Sequence, residues 1–351
     1  MTEVDKAIAE IRKKWGNMSI MKLNEALKEK VEAIPTGALS LDLAIGVNGI
    51  PKGRIVEMYG GEGSGKTTLC LSIVKQCQLA GGLAAYIDME NAMDIKYARS
   101  IGVDVGELLI SQPDTGEQAL DIAETLIKSG KVDLIVIDSV AAMVTKRELE
   151  GEMGDSHMAP QARMMGQGLR KLTGIINKTK TAVIFINQLR DNIGFGAKYE
   201  PQITPGGRAL KFYASVRIKI GKREQIKGKD DSHIGNLVIA KITKNKVGMP
   251  FKEALFEIRF GKGVARLGSM FEAAVGLDVL KKDGNTYAFG KTKLGVGKDK
   301  TIMKMKEDKE LQSQIERAIR EKYEEGEIKA AELNEEEKQD VKEQEEKPVE
   351  F

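Results

Sequence analysis

The sequence predicts an α/β fold, a mostly parallel sheet covered by helices on both faces, with one helix ahead of it and a small α+β domain behind. Three observations lead there. From about Ile34 to Lys246, apolar runs of strand length (Leu83 to Asp88, Leu108 to Ser111, Leu134 to Asp138, Ala182 to Asn187) alternate with helical segments, and near-continuous apolar strands are those buried on both faces of a parallel sheet. A further apolar run with Ile55, Val56, Met58 and Tyr59 leads into Gly60-Gly61-Glu62-Gly63-Ser64-Gly65-Lys66-Thr67, and helical periodicity follows from Thr67 to Leu79. Later, Phe212 to Ile220 and Ala254 to Phe260 alternate apolar with polar residues, which predicts antiparallel strands added at one edge.

In chain order, residues 1–33 form an N-terminal helix and linker. Val4, Ile8, Ile11 and Trp15 share one helical face, Thr2-x-x-Asp5 is a capping signal, and Gly16 is the stop. That apolar stripe needs a cover, either from its own domain or from a neighbouring subunit. Residues 34–264 hold the sheet, with Thr115 and Gln118 as a second capping box and Gly130 closing that helix. Residues 265–323 predict the small α+β domain: a short helix near Met270, a turn at Asp283-Gly284-Asn285, glycine-rich hairpins and a final charged helix. Residues 324–351 are acidic and nearly devoid of aromatics, a composition that predicts disorder.

A chain of 351 residues can bury a large core. No apolar stretch reaches the roughly eighteen residues of a membrane span, and the start, with Glu3 and Asp5 beside Lys6, lacks a secretory pattern. A cytoplasmic protein is the expectation. Cys70 and Cys77 lie seven apart on one predicted helix and read as small buried hydrophobes rather than as a disulfide. Net charge is +3, but residues 324–351 carry twelve acids against four lysines, a local −8, so the preceding residues carry +11. Charge alone supports two readings: a basic body meeting a polyanion whose access the acidic segment tempers, or a solubilising tail on an ordinary surface.

The run Gly60 to Thr67 fits the phosphate-loop pattern, and its place between a strand and a helix is the context the motif requires. Backbone N–H groups from Gly60, Gly61, Glu62, Gly63, Ser64 and Gly65 make an anion nest at the positive end of a helix, and Thr68 follows in the first turn. Lys66 reaches the β- and γ-phosphates of a nucleoside triphosphate and Thr67 holds Mg²⁺. Asp138 ends an apolar strand at the sheet edge where open α/β folds bind ligands, so it joins Thr67 around the metal, with Ser139 supporting. Glu90 lies just past the strand Leu83 to Asp88 and is the candidate general base, with Asp88 a rival. Gln188 ends another strand ahead of an expected loop of about nineteen residues, Leu189 to Gly207. An amide there can sense the triphosphate and order that segment.

Several longer runs resemble the bacterial RecA recombinase family: Glu90-Asn91-Ala92-Met93-Asp94, Ser111-Gln112-Pro113-Asp114-Thr115-Gly116-Glu117-Gln118, Gly154-Asp155-Ser156-His157-Met158, Phe185-Ile186-Asn187-Gln188 and Ala209 to Arg217. The resemblance extends from the N-terminal helix to about residue 325. Departures are local: Gly61 and Gly63 replace a proline and a serine, Asn91 a histidine, Gly166 a serine, and Phe260 a tyrosine. The resemblance implies a P-loop NTPase core of RecA type, using ATP and Mg²⁺, that assembles head to tail as a helical homopolymer on single-stranded DNA and pairs it with double-stranded DNA. It implies stimulated self-cleavage of a LexA-like SOS repressor as well. A ring helicase or RadA-like motor on the same core is the alternative, and an idle DNA-binding scaffold a third.

By the same resemblance, the helix from Val4 to Trp15 docks on an adjacent core, while Lys244 and Lys246, with Phe212, lie at the subunit boundary and reach the neighbour's ATP. Asp94, Tyr97 and Phe260 contact the adenine, Tyr97 by stacking; plain core packing is the alternative for Tyr97 read alone. DNA contacts fall at Met158, Arg163, Arg170, Arg190, Ile193, Gly206 and Gly207, where arginines and backbone N–H groups meet phosphates and Ile193 wedges between bases. Lysines 281, 282, 291, 293, 298 and 300 form a basic cluster suited to duplex DNA or merely solvated. His157 and His233 are expected in polar loops.

Overall fold

The computed structural model describes residues 2–20, 31–152, 160–192, 202–228 and 230–326. Met158, Ile193, His157 and the acidic segment beyond residue 326 lie outside the described residues. Two compact units divide the chain, residues 1–32 and residues 33–351.

In the first unit, helix α1 spans Glu3–Trp15, and both halves of the predicted capping box form. The Thr2 N–H donates to Asp5 Oδ2 at 2.9 Å and the Asp5 N–H donates to Thr2 Oγ1 at 3.3 Å. Gly16 ends the helix at φ 93°, a left-handed value glycine adopts without strain. No residue of α1 is buried, and Val4 and Trp15 remain 66% and 71% exposed.

The second unit opens with β1 (Ala33–Ile34), α2 (Leu39–Ile45) and β2 (Ile50–Pro51). There follow β3 (Ile55–Gly60), α3 (Lys66–Leu79), β4 (Ala84–Asp88), α4 (Ile95–Ile101), β5 (Leu109–Ser111), α5 (Gly116–Lys128) and β6 (Leu134–Asp138). Next come α6 (Lys146–Glu150), α7 (Pro160–Thr179), β7 (Ala182–Gln188), β8 (Arg190–Asp191), β9 (Gln202–Ile203), α8 (Arg208–Tyr213) and β10 (Val216–Lys227). The remainder is β11 (His233–Asn245), β12 (Glu253–Arg259), β13 (Gly263–Val264), α9 (Arg266–Gly276), β14 (Leu280–Asp283), β15 (Thr286–Phe289), β16 (Thr292–Val296), α10 (Lys298–Glu307) and a helix α11 over residues 309–326.

Nine strands form one sheet in the order β13-β12-β11-β10-β3-β7-β6-β4-β5. All neighbours from β10 to β5 are parallel, and β11 to β13 continue antiparallel. Because strand side chains alternate faces, each central strand feeds two cores. Val56, Met58, Val136 and Ile184 pack with Leu69, Ile73 and Val74 of α3, whereas Ile55, Ile137, Val183 and Phe185 pack with Ala119 and Ala123 of α5 and Leu169 and Leu172 of α7. A third cluster joins Met270 and Phe271 of α9 to Leu280, Tyr287, Met305 and Ile315, and reaches Leu39 and Leu43 of α2.

Several expectations need correction. The run Phe212 to Ile220 is not one antiparallel strand: Phe212 belongs to the short helix α8, the strand starts at Val216, and it lies parallel to β3 with Val216 opposite Val56. Alternation reports one exposed face; it carries no direction. Only half of the second capping box forms, since the Gln118 side chain accepts the Asp114 N–H instead of the Thr115 N–H. His233 is not in a loop but opens β11, with Nε2 2.9 Å from Asn236 Oδ1 and its ring edge-on to Phe260. Lys298 leaves the basic cluster to pair with Glu257 at 2.5 Å and with Glu272. Cys70 and Cys77 are free and buried as expected, and burial pushes the Cys77 thiol up to about 11. Among the described residues no helix is long and apolar enough to cross a membrane.

Candidate nucleotide and nucleic-acid site

The loop after β3 is shaped by close approach. A Cβ at Gly60 would sit 2.2 Å from the Ile220 carbonyl oxygen, and one at Gly65, which has φ 95°, would sit 2.6 Å from Ile258 Cδ1. Gly63 also takes a left-handed φ of 63°. The loop lies against β10 and β12, and α3 begins at Lys66 with its first-turn N–H groups directed at the loop. Gly63, Lys66, Thr67 and Thr68 face Asn236 and Phe260 across a cavity of about 280 Å³. Larger hollows of about 520, 470 and 460 Å³ lie elsewhere, but the anion-binding chemistry is here.

Lys66 Nζ donates to the carbonyls of Gly61 at 2.8 Å and Gly60 at 3.1 Å. Its pKa is lowered by burial, against the pull of Asp138 and Glu90. Thr67 Oγ1 and the Tyr86 hydroxyl both donate to Asp138 Oδ2, at 2.9 and 2.6 Å. Burial raises the Asp138 pKa even against these two hydrogen bonds. A buried carboxylate beside a hydroxyl is a hard oxygen donor set, which fits Mg²⁺. Ser64 Oγ is buried in the loop with no partner among the described residues.

Glu90 stands where four strand ends meet. Asp88 is opposite Asp138 in the sheet and Gly60 is opposite Gln188. Glu90 Oε1 accepts Ser139 Oγ at 2.6 Å and Gln188 Nε2 at 3.1 Å. Asp88, the rival base, is otherwise engaged: it is buried, and its oxygens accept the N–H groups of Glu90 and Met93 and the Gln112 amide at 3.0 to 3.2 Å. It holds the turn that carries Glu90. Tyr86 is a site neighbour that the apolar pattern of its strand concealed.

Phe260, 47% exposed, lines the cavity. Tyr97 reaches it through its hydroxyl, 2.9 Å from Thr68 Oγ1, and its ring packs on the core beneath. Asp94 caps α4 by accepting the N–H groups of Lys96 and Tyr97 at 2.8 and 3.0 Å. Lys244 and Lys246 do not line this cavity. Lys244 Nζ instead donates to the carbonyls of Lys211 and Phe212 at the end of α8, at 2.7 and 2.9 Å, and burial with Lys246 and Arg217 nearby lowers its pKa. Phe212 is 69% exposed beside it.

Arg163 and Arg170 are exposed on one face of α7. Arg190 lies in β8, whose pairing with β9 makes a small hairpin at the base of the segment expected as a continuous loop. Gly206 and Gly207 have φ of 84° and 72°, and a Cβ on either would come within 2.8 Å of Val140 Cγ1 or 2.7 Å of Ala162 Cβ. Gln161, which no sequence motif singled out, clamps this base: its Oε1 accepts the Gly206 N–H at 3.2 Å while its Nε2 donates to the Val140 and Met143 carbonyls at 2.7 and 3.0 Å. A polar residue in the first turn of an apolar-faced helix was the available signal.

Residues 2–265 match the RecA N-terminal domain family and residues 268–324 the RecA C-terminal domain family. The chain is 52% identical over 322 residues to Protein RecA of Clostridium acetobutylicum, covering 91% of each chain. It is 50% identical over 341 residues to Protein RecA of Halalkalibacterium halodurans, covering 96% of this chain and 97% of the relative. With Wolinella succinogenes Protein RecA the identity is 50% over 316 residues, 90% of each. The chain therefore belongs to the RecA family, recombinases of DNA repair that are DNA-dependent ATPases.

Proposed function

We propose that ATP in the loop cavity switches this chain between holding and releasing single-stranded DNA within a helical filament, and that Glu90 ends the holding state. One observation carries the reading: a single carboxylate oxygen of Glu90 accepts both Ser139 Oγ and Gln188 Nε2. The base and the start of the 189–207 segment therefore share one contact. Lys66 turns from the Gly60 and Gly61 carbonyls to the β- and γ-phosphates, while Thr67 and Asp138 hold Mg²⁺. That ion neutralises charge on the phosphates when bound. Glu90 takes the proton of the attacking water, kept in orientation by the Ser139 hydroxyl. Gln188 senses the triphosphate and sets the segment behind it.

Asp94, Tyr97 and Phe260 bound the adenine, and Lys244 and Lys246 act on the ATP of the adjoining protomer, making turnover depend on assembly. The exposed stripe of α1 docks on that protomer. Met158, Arg163, Arg170, Arg190, Ile193, Gly206 and Gly207 bind the single strand, through phosphate contacts that ignore sequence. Lysines 281, 282, 291, 293 and 300 remain as the surface for double-stranded DNA. A LexA-like repressor as further partner, and a cytoplasmic setting, complete the proposal. The test is the affinity for an oligonucleotide with ATP analogue, ADP and no nucleotide. Tight binding with the analogue and continuous filaments by electron microscopy are expected; equal affinity in all three states sinks the switch, and closed rings alone favour a motor.

A further inference from the structure

Beside the strand ends that carry Glu90 and Gln188 lies a buried polar network that hydrolysis does not use. Glu57 on β3 and Asn187 on β7 are both fully buried. Asn187 Nδ2 donates to Glu57 Oε1 at 3.0 Å and to the Pro205 carbonyl at 3.1 Å, and its Oδ1 accepts the Gln188 N–H at 3.0 Å. Glu57 Oε2 accepts Arg217 Nε at 2.5 Å, and the guanidinium lies over the Tyr59 ring, 4.6 Å from its centroid. An ion removed from water is costly unless paired and hydrogen-bonded. Glu57 has both kinds of partner, so its carboxylate is a fixed anchor for the Asn187 amide.

That amide meets two backbones with different duties. On one side is the N–H of Gln188, whose own side chain touches Glu90. On the other is the carbonyl of Pro205, one residue before Gly206, whose N–H is held by Gln161 on α7. The two ends of the 189–207 segment, already paired through β8 and β9, are thus also joined through one side chain, which ties Gln188 to the Pro205 carbonyl beyond the hairpin.

We propose that Asn187, anchored by Glu57 and Arg217, is a positioning residue that couples the nucleotide-facing end of β7 to the closing end of the 189–207 segment. The inference rests on the reading that this segment binds DNA in the ATP state. If the network served packing alone, restoring its packing would restore everything.

The pair Asn187→Asp with Glu57→Gln separates the two roles. In the double variant the amide introduced on β3 donates to the carboxylate introduced on β7 while its oxygen still accepts from Arg217, and the network keeps one negative charge, moved one strand away from Arg217, but position 187 no longer has a donor for the Pro205 carbonyl. Thermal midpoint and oligonucleotide affinity, with ATP analogue and with ADP, are compared for wild type, Asn187→Asp and the double. The single variant loses stability and the double recovers most of it. The ratio of DNA affinities, analogue over ADP, nonetheless falls in the double by roughly threefold to tenfold, the worth of one hydrogen bond. A double variant with the wild-type ratio overturns the coupling, whereas a wild-type ratio near one sinks the functional reading beneath it. Hydrogen exchange on the wild type needs no variant: adding the analogue without DNA is expected to slow exchange at residues 182–188 and 202–207 together. Protection confined to the first segment also overturns the proposal.

Discussion

Replacing Glu90 by Gln isolates the proposed base from the geometry around it. Glutamine keeps an oxygen at the Oε1 position, so the hydrogen bonds from Ser139 at 2.6 Å and Gln188 at 3.1 Å retain an acceptor. The phosphate loop, Asp138 and Thr67 are untouched. The charge that accepts a proton disappears, a contribution of about 10² to 10⁴ in rate, or about 3 to 5 kcal/mol of barrier. Steady-state phosphate release with single-stranded DNA is therefore expected to fall by at least about a hundredfold, while ATP affinity from equilibrium titration moves by less than about threefold. With release blocked, ATP itself is expected to hold DNA as tightly as a non-hydrolysable analogue does. Turnover within about tenfold of wild type refutes the assignment of the base, and equal loss of ATP affinity shows that the residue serves binding instead.

Gly65→Ala places a Cβ at φ 95° and 2.6 Å from Ile258 Cδ1, so nucleotide affinity is expected to drop at least about tenfold by titration, with the sheet intact by circular dichroism. Lys244→Ala leaves the cavity of its own chain whole and is expected to lower DNA-stimulated turnover by about 10³ or more while ATP affinity of the unassembled protein holds; unchanged stimulation removes it from the trans role. Asp42 is buried and its pKa is raised by burial to about 7. A raised folded-state value means its stabilising contribution is whole below the ordinary carboxylate range and is lost as pH rises through about 7, so denaturant melts from about pH 5 to pH 8 are expected to show a loss of about 3 kcal/mol relative to Asp42→Asn. Parallel pH curves for the two proteins exclude that titration.

The parts of the fold that were legible are those fixed by local chemistry. The apolar runs ending at Asp88, Asp138 and Asn187 announced strands because only a sheet covered on both faces buries such runs, and Thr2 with Asp5 announced a helix start because they satisfy N–H groups that the helix leaves open. Gly60 to Thr67 was readable for the same reason: its function lies in its own backbone. The direction of β10 was not readable, since an amphipathic strand alternates identically whether its neighbour runs with or against it.

The site residues that escaped notice are those whose meaning comes from register. Nothing local distinguishes Glu57 from any acid in an apolar strand, or Tyr86 from any buried aromatic. They acquire roles because β3 meets β7 with Glu57 opposite Phe185 and Gly60 opposite Gln188, and β4 meets β6 with Asp88 opposite Asp138. Parallel pairing with no offset brings four strand ends to one edge, so the phosphate loop, the Asp138 carboxylate, the turn before Glu90 and the amide of Gln188 converge although the chain visits them far apart. The same register carries a cost: Asn187, the penultimate residue of its strand, is buried between polar neighbours and must be satisfied from the side. Glu57 and Pro205 satisfy it. A sheet that aligns its ends for chemistry thereby also creates, one residue inward, the polar contact through which the far end of the 189–207 segment is held.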